Sequence, residues 1–192
     1  MKATSPQPSA ARSRDAGQTR ARILAAARAR FSQHSYENVG TRDIAGDAGV
    51  DAALVSRYFG SKDRLFAAVI EGGFDVDEHL PARLDDLGRF LTAQILGAAE
   101  PSSGFDALRV LLHAAGSPAV AAMVSQRFHA EFVKPLARRL RGPDADVRAA
   151  LIASYVIGIA TMRHGLHSTA LTGPARRRAA AIAAAAIQAC VD

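Results

Sequence analysis

Within the segment Thr41 to Lys62 the chain gathers side chains suited to holding a partner. Arg57 offers a planar guanidinium, Tyr58 a phenol, Lys62 an ammonium and Ser56 a short hydroxyl. Ala52 and Ala53 are small enough to let the backbone come close to whatever lies opposite. Such groups neutralise anions and donate hydrogen bonds, which is the chemistry of recognition rather than of bond making. The patterns of bond making are missing from the sequence: there is no P-loop, no HExxH, no GxSxG and no glycine fingerprint after a strand. His164 and His167 stand three apart on an expected helix, a permissible metal spacing. Neither Cys nor a carboxylate lies near them in sequence, so a charge effect at the helix C-terminus is the plainer reading. These residues point away from an enzyme, and no cofactor or metal is expected.

The elements that must position this set are readable from caps and apolar spacing. From Thr19 the pattern turns helical, with Ile23, Ala27 and Phe31 on one stripe and Leu24 beside it. His34 and Ser35 close that helix, and Tyr36 and Val39 anchor the connection. Thr41 is expected as an N-cap with Asp43 in the first turn, and Ile44, Ala45 and Ala48 make a short inward face. Gly49 supplies a residue able to take positive φ and end the helix. Asp51 caps the next helix, which turns Val55 and Phe59 inward with Leu54 alongside. Gly60 ends that helix, Ser61 caps another, and Leu65, Phe66 and Val69 continue the core. Two short helices joined by a glycine turn, the second capped and basic, form either a helix-turn-helix or an ordinary helical hairpin.

The tiny outward side chains of Ala52 and Ala53, with Ser56 and Arg57 one turn on, favour the first of these, and the charge distribution adds a modest signal. Residues 1–62 hold ten Lys/Arg against five Asp/Glu, whereas the remainder is nearly balanced within a net charge of +6. A basic N-terminal third attracts polyanions at long range. With 49% hydrophobic residues the chain can bury a core. Residues 1–17, rich in Pro, Ser, Ala and Arg, read as a disordered basic tail. The first nine residues lack the apolar stretch of a secretion signal. The longest apolar run, Ala149 to Met162, is shorter than the roughly 18 residues of a membrane span. Cys190 is the only cysteine, so no intramolecular disulfide forms, which suits a reducing cytoplasm.

The run TRDIAGDAGVDAALVSRYFGSKDRLF, preceded by the helix ending at Phe31 and by Tyr36, resembles the TetR family of transcriptional regulators from about Gln18 to Val69. The match rests on Ile44-Ala45, Ala48-Gly49-Val50, Tyr58-Phe59 and Ser61-Lys62 with Leu65. Two positions depart from the family pattern. Ser35 stands where Gly is usual and is expected to be left-handed; Ser56 stands where Tyr is common. The resemblance implies an all-α chain: a helix-turn-helix DNA-binding domain at 18–77 and a helical effector-binding and dimerisation domain at 78–192. Expected helices beyond Ile70 cover 83–98, 104–114, 118–141, 144–167 and 174–190, with Pro135 kinking or dividing one, and Glu71 to Pro81 is expected to be a connector or the end of the helix before it.

The expected DNA-contacting residues are Thr41, Arg42, Ala52, Ala53, Leu54, Ser56, Arg57, Tyr58 and Lys62. Arg57 is the candidate base reader, with a phosphate contact as its alternative. Tyr58 and Lys62, with Thr41 and Arg42, resemble the family's phosphate clamps, although the Tyr58 ring also suits core packing. Arg12, Arg14, Arg20 and Arg22 either follow the DNA backbone or minor groove, or are simply solvated. Leu151, Ile152, Tyr155, Val156, Ile159 and Met162 exceed a single core stripe, and Ile182, Ala183, Ala186, Ile187 and Cys190 form an Ala-rich face. The resemblance makes these the homodimer seam, which would space two heads along a pseudo-palindromic operator. It also implies an unidentified small-molecule effector, with Phe90, Gln94, His113, Phe128, His129, Phe132, Tyr155, Met162 and Arg163 as candidate lining. A repressor in the cytoplasm, released from double-stranded DNA by that effector and without membrane partners, is the expected function. A non-enzymatic helical interaction module using its basic face is the alternative.

Overall fold

A computed structural model describes residues 8–97 and 107–192; these are helical and turn structure, with no strand among them. Helix α1 (Pro8–Phe31) starts at Pro8 rather than Thr19, so residues 8–17, expected as part of a disordered tail, are helical; residues 1–7 lie outside the described residues. A 3-10 turn at Tyr36–Asn38 leads into α2 (Thr41–Ala48), α3 (Ala52–Phe59) and α4 (Lys62–Ile70). Gly40, not Thr41, is the N-cap of α2, and its N–H donates to Asp43 Oδ2 at 3.1 Å. Ser35 is extended (φ −62°, ψ 154°) rather than left-handed, so Ser replaces Gly there without strain. Among the described residues the left-handed non-glycine positions are instead Asp144 and His167.

The connector is a turn containing Gly72 (φ +69°) followed by α5 (Val76–His79). Then come α6 (Leu87–Leu96) and α7 (Ala107–Ala114); residues 98 and 104–106 of the expected helices lie outside the described residues. The expected helix 118–141 is divided into α8 (Ala121–Phe128), a π turn at His129–Val133 and α9 (Lys134–Arg139). Pro135 explains the π turn. It has no N–H to offer the preceding carbonyls, and shifting to the wider spacing one residue earlier avoids a break. Helix α10 (Ala145–Ala160) likewise ends in a π turn at Thr161–Gly165, and α11 (Ala175–Gln188) closes the chain.

Apolar side chains form two clusters. The first joins Ile23, Phe31, Ile44, Val55, Phe59 and Phe66 of the N-terminal helices to Phe74, Val110, Val120 and Val124, so α7 and α8 pack directly on the N-terminal unit. The second joins Leu87, Leu91, Leu136, Ile152 and Ile187. Phe128 and Phe132 touch both clusters and stack on each other, with centroids 5.2 Å apart. Helix α6 lies so close along α11 that a Cβ on Gly88 would fall inside the contact distance of the Ala184 carbonyl.

The α10 helix with its π turn, Ala145–Gly165, runs 21 residues at a mean hydropathy of 1.4, long and apolar enough to cross a membrane, which the consecutive-residue count had placed below the threshold. It falls short of uniform apolarity because Asp146, Arg148 and Arg163 interrupt it. Val147, Leu151, Tyr155 and Met162 stand exposed along one side of it, with Leu166 just beyond. Ile152 turns inward. On α11, Ile182 is 66% exposed while Ile187 is fully buried against its own chain. Ile187 therefore leaves the expected seam for the core.

Candidate nucleic-acid interface

Helix α3 is short, capped at both ends and turned so that one side faces out. The Asp51 carboxylate accepts from the Ala53 N–H at 2.7 Å, and Gly60 (φ +81°) ends the helix with its N–H donating to the Ser56 carbonyl at 2.8 Å. Val55 and Phe59 are buried, which fixes the helix rotation. Ala53, Ser56 and Arg57 are consequently exposed at i, i+3 and i+4 on one stripe. Ala52, Leu54 and Tyr58 are half-buried on its flanks and pack against the first cluster. Tyr58 thus does provide core packing. Arg42 is exposed and Thr41 half-buried at the start of α2.

The turn between α2 and α3 is held from α1. Gly49 (φ +61°) closes α2, and the Val50 N–H reaches back to the Ala45 carbonyl at 3.0 Å. The Arg22 guanidinium caps the same end, donating from Nε to the Ala48 carbonyl at 3.0 Å and from Nη2 to the Gly49 carbonyl at 2.8 Å. Arg30 adds an ion pair with Asp47, Nη2 to Oδ1 at 2.8 Å. Arg22, anticipated as a solvated or DNA-following residue, is therefore a structural clamp. Sequence reasoning missed this because the partners lie 26 residues away and arginine carries no local mark of such a role. Arg20 sits over the Phe59 ring at 4.9 Å. Arg12 and Arg14 belong to α1 by backbone alone.

Lys62 begins α4, where the Ser61 hydroxyl accepts from the Arg64 N–H at 3.2 Å. Its Nζ lies 4.1 Å from the centre of the Tyr36 ring, and the Tyr36 hydroxyl donates to Asp63. Partial burial lowers the Lys62 pKa, opposed by the charges of Glu37 and Asp63. Burial likewise raises that of Tyr36, followed by its bond to Asp63. The ammonium is thus held over the Tyr36 ring instead of swinging freely.

Behind this face, the Ser117 hydroxyl in the α7–α8 turn donates to the Glu37 carboxylate, which lowers the Glu37 pKa. Ser117 is only 2% exposed. The Gly-Ser-Pro run marked a turn in the sequence but gave no sign of its partner. His113 is exposed overall, yet partial desolvation of its imidazole lowers its pKa, followed by the charges on Arg109 and His34.

The nine candidate lining residues do not meet around one space. Phe90, Phe128 and Phe132 pack against the second cluster, and His129 touches Phe128 edge-on. Gln94, His113 and His129 are exposed; Tyr155 and Met162 face outward on the α10 side and in its π turn. Arg163 caps α6, donating to the carbonyls of Ile95 and Gly97, the latter at 3.0 Å. A cavity of about 570 Å³ lies elsewhere, open between α6 and α11. Asp85, Asp86, Arg89, Thr92 and Gln188 border it with a floor of alanines. No group of three or more His, Cys, Asp or Glu able to hold a metal occurs among the described residues.

Residues 23–69 match the family model described as bacterial regulatory proteins, tetR family, and residues 85–191 the model described as tetracyclin repressor-like, C-terminal domain. An uncharacterized HTH-type transcriptional regulator of Mycobacterium tuberculosis is 33% identical over 132 residues, 65% of this chain and 60% of that protein. The match therefore spans about 60% of the length of these curated relatives. An HTH-type transcriptional repressor of Streptomyces coelicolor is 36% identical over 75 residues, 38% of this chain and 39% of that one. Among solved structures, a TetR-family regulator from Streptomyces coelicolor A3 superposes with a TM-score of 0.54 at 27% identity, covering 99% of each chain. NalD from Pseudomonas aeruginosa, described as the secondary repressor of the MexAB-OprM multidrug efflux pump, reaches a TM-score of 0.61 at 16% identity, over 89% of this chain and 95% of that one, and shows the fold alone.

Proposed function

The chain belongs to the TetR family of bacterial transcriptional regulators, and from that premise we propose that it is a homodimeric repressor that reads a pseudo-palindromic operator with α3. The observation that carries this reading is the single outward stripe of Ala53, Ser56 and Arg57 on a helix whose rotation is locked by Val55 and Phe59. Small residues at its start let the helix enter a major groove. Arg57 there meets guanine O6 and N7, Ser56 donates a short hydrogen bond, and the Ala52, Ala53 and Leu54 methyls contact thymine. Thr41 and Arg42 at one helix start and Lys62 at another, with Tyr58 between, take phosphates on either side.

Residues 18–77 form the reading unit and 78–192 the effector and dimerisation unit. The exposed apolar side of α10, continued by Ile182, is the surface that a second copy covers. A regulator of this kind works where the bacterial chromosome lies, in the cytoplasm. The unit 78–192 also receives a small-molecule effector. Phe74 of the connector meets Phe128 edge-on at 5.4 Å, so a ligand that displaces Phe128 or Phe132 moves the connector and the spacing of the two heads. Two heads must meet successive grooves about 34–36 Å apart, so a few ångströms suffice to penalise docking. The ligand must bind the incompetent state more tightly, since equal affinity shifts nothing.

Selection of bound sequences from random duplexes tests the DNA reading. A palindromic preference is expected, and Arg57→Ala should lose about 1–3 kcal/mol and relax one base position. Binding without sequence preference would instead favour a basic interaction module. For the effector, ligands found by thermal shift are assayed for operator release with Phe128→Ala and Thr92→Val, which separate the aromatic cluster from the α6/α11 cavity.

A further inference from the structure

Helices α10 and α11 place one end of the C-terminal unit beside the reading head. Ala149, Ile152 and Ala153 at the start of α10 share the second apolar cluster with Ile187, Cys190 and Val191 at the end of α11. Ile157, further along α10, packs on the cluster that contains the head. The start of α11 therefore lies at the head end, roughly 18 Å along the helix from Ile187 by the rise per residue.

That start reads Ala175-Arg176-Arg177-Arg178. Arg177 and Arg178 are exposed and Arg176 is half-buried. The first turn of α11 contains no acidic residue, and none of the three guanidinium groups has an ion pair or hydrogen bond among the described residues. From Val147 to Val191 the sequence contains five arginines and two histidines and no Asp or Glu. Arg163, His164 and His167 precede these arginines in the turns between α10 and α11. Three like charges at the positive end of a helix repel one another and the helix dipole, and an anion opposite relieves that repulsion. The exposed apolar side of α10, read above as the surface that a second copy covers, leads into it through Met162 and Leu166.

We propose that Arg176, Arg177 and Arg178 form a second phosphate-binding patch that contacts the DNA backbone between the two half-sites. This rests on the DNA-binding reading and extends it: the patch adds affinity and salt dependence without sequence preference, because it touches phosphates alone. Guanidinium groups suit the task, since each presents a fork of donors to phosphate oxygens.

The test compares two variants that each remove three positive charges. R176Q/R177Q/R178Q alters the patch; K134Q/R138Q/R141Q alters three exposed residues on and just after α9, next to the second cluster and away from the head. Affinity for the selected duplex is measured across a salt series, with the oligomeric state checked by light scattering. The α11 variant should remain dimeric and lower the slope of log affinity against log salt by about 2 or more, at roughly 0.9 per lost phosphate contact. The α9 variant should leave the slope close to that of the wild type. A duplex with uncharged methylphosphonates at its centre should bind wild type and α11 variant equally. Equal slope changes in both variants, an unchanged slope in the α11 variant, or its dissociation to monomer would each overturn the patch. Wild-type protein that binds no duplex with sequence preference would overturn the DNA-binding reading as well, which distinguishes the two failures.

Discussion

Replacing Gly88 with alanine would put a methyl carbon inside the contact distance of the Ala184 carbonyl oxygen and 3.0 Å from both the Ala184 carbonyl carbon and the Gln188 nitrogen. All three are α11 backbone, so no side chain can swing aside and the two helices must separate. Overpacking of this kind costs about 1–3 kcal/mol. Separation also strains the bonds by which Gln188 ties the helices, accepting from the Gly88 N–H at 3.1 Å and donating to the Leu84 carbonyl at 3.2 Å, a further loss of about 1 kcal/mol. Alanine returns about 1 kcal/mol through its helix propensity. The net loss is about 1–3 kcal/mol, equivalent to a fall of about 3–10 °C in Tm for a chain of this size. Gly46→Ala is the control: its Cβ meets nothing within 4 Å, so the same exchange in α2 should raise Tm by a few degrees. Melts are run at one protein concentration, because self-association of the kind proposed would make Tm depend on it. The half-buried Cys190 thiol near the end of α11 should also react faster with a thiol reagent in Gly88→Ala. A Gly88→Ala protein that melts as high as Gly46→Ala, with Cys190 reactivity unchanged, would refute the close crossing.

Arg22→Ala should destabilise the N-terminal helices by about 1–2 kcal/mol by releasing the Ala48 and Gly49 carbonyls; weaker DNA binding with unchanged stability would make Arg22 a phosphate contact instead. Ile182→Asp should yield monomer with an intact fold, whereas Ile187→Asp should unfold the chain, and circular dichroism with light scattering separates the two. Folding favours neutral His113, whose pKa is lowered, so its contribution is complete above the unfolded value and is lost as pH falls toward the folded one. The urea midpoint should fall between about pH 7.5 and pH 5.5, and His113→Gln should flatten that limb. The lowered Glu37 pKa gives a contribution present above the ordinary carboxylate range and lost as pH falls through the folded value. The difference between wild type and Ser117→Ala should therefore shrink below about pH 4.

What the sequence disclosed was local. The caps Asp51 and Ser61 and the glycine stops Gly49 and Gly60 act within a few residues of themselves, so the α2–α3–α4 run and the α3 stripe were legible before any tertiary contact was known. What escaped depends on distant chain. Whether Ile182 or Ile187 faces inward is settled by α6, whose Gly88 meets Gln188 across 100 residues. The left-handed expectation for Ser35 failed because the 3-10 turn at Tyr36–Asn38 needs only an extended residue before it. Tyr155 and Met162 looked like lining because periodicity cannot tell an inward apolar face from one awaiting a partner.

The first apolar cluster draws on residues 23–74 and then, after a long excursion, on 107–124. A reading head cut from this chain at residue 77 would bare the surfaces that Val110, Val120 and Val124 now cover. Grafting the head onto another sensor, a common route to new genetic switches, should accordingly succeed only when α7 and α8 travel with it or the recipient supplies the same apolar surface. Sequence order thus misstates the transplantable unit: the piece to move is discontinuous, and the junctions belong around α5–α6 and after α8.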